Sequence, residues 1–128
     1  MITTRTNETI QGQLYHEWLN NLSMYHQQLE HLLKLVTGAN NHGIQLDASI
    51  ELEALADLIK VQQQQIEGLS AEVMLKIKHL KPVDEANEGI IAFAEVIINN
   101  QLRERIRKAE HSVFYLKHHV NKLLSIAS

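Results

Sequence analysis

Cysteine is absent from this chain. Its absence excludes a disulfide framework, a thiol nucleophile and a thiolate metal site, and it fits a reducing, cytoplasmic location. Proline occurs once and glycine five times, too little turn-forming material for a protein of many strands. Aromatic residues, which favour strands, make up only 5%. A basic excess is also missing, with 12 Lys and Arg against 15 Asp and Glu. Nucleic-acid binding rests on a surplus of cations to neutralise phosphates, so no nucleic-acid partner is expected. The most apolar stretch, Ile90 to Ile98, is interrupted by Glu95 and is about half the roughly 20 residues a membrane-spanning helix needs. No membrane partner is expected either. Met1 to Asn7 is polar and lacks the apolar core of a secretory signal. The glycosylation-type matches at Asn7 and Asn21 then read as chance.

What is present is 45% apolar and 21% charged residues over 128 positions, the composition of one globular domain with a real core. The apolar residues are spaced alternately three and four apart. In the first third the series is Tyr15, Trp18, Leu22, Tyr25, Leu29, Leu32 and Val36; in the last it is Leu102, Ile106, Ala109, Val113, Leu116, Val120 and Leu123. Such spacing lays one apolar seam along a helix, stable only when other helices cover it. The fold class is all-α: an antiparallel up-down-up bundle of three long helices with coiled-coil-like packing, forming a single domain over 1–128.

Helix boundaries follow from caps and breakers. Thr6 or Asn7 opens the first helix, residues 7–37, and Gly38 supplies the left-handed residue that ends many helices. Asp47 caps the second, residues 47–81, whose seam is Leu52, Leu55, Ile59, Gln62, Ile66, Leu69 and Val73 and which runs on through Gly68. Lys81-Pro82 ends it. The third helix covers 83–126. Its early seam, Ile91, Ala94, Ile98, Leu102 and Ile106, contains an extra four-residue step, a stutter; a break near Asn99-Asn100 would instead give four helices.

These lengths leave the end of the third helix beyond the other two. Val120, Leu123 and Leu124 there, with Ile90, Ile91, Phe93, Ile97 and Ile98 near its start, form an apolar surface wider than one seam. One chain cannot cover it, so a homodimer is expected, with these eight residues as the interface and a protein partner as a further possibility.

Eight histidines invite a metal reading. Di-iron bundles use Glu-x-x-His and helical zinc sites His-x-x-x-His; neither spacing occurs here. His26 and Glu30, four apart, form a half-site at best. His31 and His111, brought to one level by the up-down-up topology, complete the weak alternative of a metal- or small-ligand-binding bundle. Solvated surface histidine is the ordinary reading of His31, His111 and His118. His118 or His119 would act as a pH switch if a dimer contact buried it. No cofactor is expected. Catalysis finds no elbow serine, no Gly-rich phosphate loop and no thiol, so the chain reads as a non-enzyme. The run Arg103 to Lys108 spreads its charges around a helix as a solvated face. Gln62 turns one member of a glutamine run into the seam, where a polar residue sets register.

Overall fold

The computed structural model describes residues 2–40, 46–79 and 88–127, with side chains described over 11–39, 47–79 and 97–125. Three helices account for all described residues but His79: α1 (Ile2–Asn40), α2 (Leu46–Lys78) and α3 (Glu88–Ala127). They pack against one another as a three-helix bundle, with no strand among the described residues. α3 runs unbroken through Asn99 and Asn100.

The direction of each helix follows from chain length and cross-contacts. Segment 41–45 spans about 20 Å at full extension and 79–87 about 35 Å, whereas α2 is about 50 Å long. Neither connection can carry the chain back along a helix, so α2 is antiparallel to both neighbours. Tyr15 meets Asn99 and Tyr25 meets Glu110, so α1 and α3 run parallel and level.

The seams form the core. All seven apolar seam residues of α1 are buried, together with Leu52, Ile59, Ile66, Leu69 and Val73 of α2 and Leu102 to Val120 at seam positions of α3. Among the described residues the pairing of α1 with α2 is the most extensive of the three.

α1 starts at Ile2, so neither Thr6 nor Asn7 opens it, and three further expectations are corrected. Gly38 does not end the first helix: α1 continues to Asn40, because Ala39 packs against the core and extends the seam by one more position. That contact offsets the roughly 1 kcal/mol that glycine costs inside a helix. A methyl group at Gly38 would meet nothing within 4 Å, so Gly38→Ala should raise stability by about 0.5–1 kcal/mol. A left-handed cap would give the opposite sign, and thermal unfolding distinguishes the two.

The level alignment of α1 with α3 also removes the overhang at Val120. With Tyr15 level with Asn99, Val36 lies level with Val120, and both are buried. Val120 is therefore a core residue and not an interface residue. Leu123 and Leu124 are half-buried against the same core.

The stutter is the third. Asn99, not Ile98, turns toward the seam, since the buried Tyr15 hydroxyl donates to Asn99 Oδ1 at 3.0 Å. Ile98 stays 39% exposed. A buried phenol needs a partner, and that need outweighs hydrophobicity here. At the outer ends, α2 starts one residue before Asp47, whose carboxylate suits the helix N-terminus. It stops at Lys78, and the His79 N–H closes the last turn on the Leu75 carbonyl at 3.0 Å.

Candidate functional site

The residues expected at an interface separate into distinct environments. Ile97 and Ile98 face solvent, 43% and 39% exposed. Leu123 and Leu124 are partly covered by the chain itself, and Val120 is wholly covered. Ile90, Ile91 and Phe93 lie on α3, and their side chains fall outside the described residues.

The histidine and carboxylate residues do not converge. His26 Nε2 lies 3.0 Å from Glu67 Oε1 across the α1–α2 contact, so its partner is Glu67 rather than Glu30. Glu30, His31 and His111 are exposed. Because Glu110 is level with Tyr25, His111 sits about 7.5 Å along the bundle axis from His31, not beside it. No group of three or more His, Asp or Glu side chains able to hold a metal ion occurs among the described residues. Among the later histidines, His118 is exposed; His119 Nε2 is 2.8 Å from the Tyr115 hydroxyl, with the rings edge-on.

Polar contacts instead tie helices together. Arg105 donates two hydrogen bonds to Glu72, at 2.5 Å and 3.1 Å, joining α3 to α2. This paired geometry is the strong form of a guanidinium–carboxylate contact, although both groups are about half exposed and such pairs contribute at most about 1 kcal/mol. Arg107 pairs with Glu104 within α3. The basic run is thus divided between two carboxylates rather than gathered into one patch.

Tyr25 has its ring in the core and its hydroxyl at Glu110. Burial, then the hydrogen bond and charge of Glu110, raise its pKa above the usual tyrosine value of 10.0. Both effects favour the neutral phenol. The stability they contribute is full below pH 10.0 and is lost as pH rises through the folded value.

Gln62 does occupy the seam. Its Nε2 donates to Gln65 Oε1 at 3.0 Å, while its own Oε1 is enclosed without a donor among the described residues. An unpaired buried carbonyl costs about 1–3 kcal/mol, so Gln62→Leu should raise the urea midpoint by a stabilisation of that order. An unchanged midpoint would show that the carboxamide is already satisfied.

Between α2 and α3 runs an open groove of about 430 Å³ beside Gly68. Its titratable side chains are Glu72 and Arg105, which neutralise each other, and Lys108. Such a surface can receive a helix or a side chain; it presents no arranged acid, base or nucleophile.

The remaining surface is where sequence reasoning missed something. Leu58, Val61, Met74 and Leu75 of α2 are between 48% and 60% exposed, and they lie off the seam that the periodicity singles out. No helix among the described residues is long and apolar enough to cross a membrane. Comparison of the chain with protein-family models, with curated proteins and with solved structures finds no match in any of the three.

Proposed function

We propose that this chain is a non-enzymatic, cytoplasmic helical-bundle protein that self-associates and offers helix faces to a protein partner. One observation carries the reading: large apolar side chains that a single copy leaves in solvent, in clusters on adjoining helices. These are Leu58, Val61, Met74 and Leu75 on α2 and Ile97 and Ile98 on α3. Single exposed apolar residues are ordinary. Groups of them at helical spacing mark contact surfaces, and a second copy with two-fold symmetry is the simplest cover. Among the described residues no three His, Asp or Glu side chains gather into a metal site, and Glu72 and Glu104 are engaged by Arg105 and Arg107.

Sedimentation velocity tests the proposal. At micromolar concentration the expected species has at least twice the 14.7 kDa of one chain. A species of 14.7 kDa throughout that range would overturn the self-association reading.

A further inference from the structure

α1 divides in the usual way into an apolar seam and a polar outward side, and α3 does so except at the exposed Phe114 and Tyr115; α2 does not. The positions about half a turn from each seam recur at the same three-and-four spacing. On α1 this outward row is Glu17, Asn20, Met24, Gln27, His31 and Lys34, and on α3 it is Gln101, Glu104, Lys108, His111, Tyr115 and His118. Each row holds a single large apolar or aromatic residue. On α2 the row is Ile50, Ala54, Val61, Gly68, Ala71 and Leu75, interrupted by Asp57 and Gln64 and closed by Lys78. Every α2 residue in it is exposed. A helix apolar on two opposite sides belongs between two layers, and α1 and α3 supply only one.

We propose that this outward face of α2 is the self-association surface, and that its occupant is α2 of a second copy, antiparallel about a two-fold axis beside Gly68. The assignment rests on the self-association reading and gives it a location. Charge complementarity selects the occupant and its direction. Asp57 lies eleven residues before Gly68 and Lys78 ten after it. An antiparallel copy sets each Asp57 opposite the other's Lys78, whereas a parallel copy sets like charge against like. The same rotation brings Val61 against Leu75 and Gln64 against Ala71, as a self-complementary contact requires. At the centre, a Cβ on Gly68 would meet nothing within 4 Å of its own chain, so a second backbone can approach closely. Of the carboxylates beside the row, Glu72 is paired with Arg105 and Glu67 is hydrogen-bonded to His26 of its own chain.

The absence of cysteine makes the test clean. A residue on a two-fold axis lies beside its own copy, so Gly68→Cys should oxidise in air to a disulfide-linked dimer, while Ile97→Cys should not. Independently, Asp57→Lys should weaken dimerisation about tenfold by opposing lysines twice. The exchange Asp57→Lys with Lys78→Asp in one chain should restore it to within about twofold of wild type. Circular dichroism checks that each variant is helical. If the wild type dimerises but Gly68→Cys does not crosslink and Asp57→Lys changes nothing, the α2 face is wrong while self-association stands; crosslinking of Ile97→Cys would then locate the contact on α3. A wild type that stays monomeric, as it would if a different protein's helix were the occupant, overturns both.

Discussion

Val120→Asp should destabilise the folded bundle itself, by about 3–5 kcal/mol, rather than merely dissociate an oligomer. Val120 is fully buried and sits level with buried Val36, so a carboxylate there is removed from water. Leaving an uncompensated charge inside costs about 3–5 kcal/mol, against a total stability of about 5–15 kcal/mol for a domain. The control is Ile97→Asp, at a position 43% exposed, where the change in folding stability should stay within about 0.5 kcal/mol. Urea unfolding followed by circular dichroism measures both. Were Val120→Asp to keep the wild-type midpoint, Val120 would belong to an outer surface and the level alignment of α1 and α3 would be wrong.

Trp18→Ala should be nearly as damaging, at about 3–5 kcal/mol. The indole is only 6% exposed, and its ring centroid lies 5.7 Å from that of Tyr15 in a tilted arrangement. Truncation removes both the buried area and the aromatic contact. It also leaves a cavity beside Tyr15, whose hydroxyl holds Asn99 of α3. The loss should therefore loosen the third helix as well as the first. Because the chain contains one tryptophan, the variant is best followed by far-ultraviolet circular dichroism; a loss below about 1 kcal/mol would place Trp18 on a yielding edge rather than in a packed core.

The two predictions rest on features of unequal legibility. Trp18 could be placed in the core from spacing alone, since a period near 3.6 decides which side of a helix its apolar residues share. The same rule located every buried seam residue of α1. Val120 also lay on a seam, yet its environment depended on the alignment of α1 with α3, which sets Val36 level with it. The end of α1 depended on Ala39 finding the core, a tertiary contact that outweighs the local signal of Gly38. Asn99 was misjudged for a similar reason. Its partner Tyr15 is 84 residues away, so no local pattern could show that an amide would displace Ile98 from the seam. Spacing pairs His26 with Glu30 on its own helix, whereas the structure pairs it with Glu67 of α2, a choice set by the alignment of two helices. The outward row of α2 is a different case. Its spacing is present in the sequence as a second three-and-four series, but the seam through Leu52, Ile59 and Ile66 draws attention first. Only the exposure of Val61 and Leu75 shows that one chain leaves that row bare.

The unequal sharing of contact among the three helices has a consequence for how the bundle opens. Among the described residues α1 and α2 share the largest contact, and α3 rests on that pair through smaller ones. The hairpin of the first two helices should consequently have the higher local opening free energy, and α3 should detach at lower cost. Amide hydrogens of the third helix should then exchange with solvent through partial opening, whereas those at the centre of the hairpin wait for global unfolding.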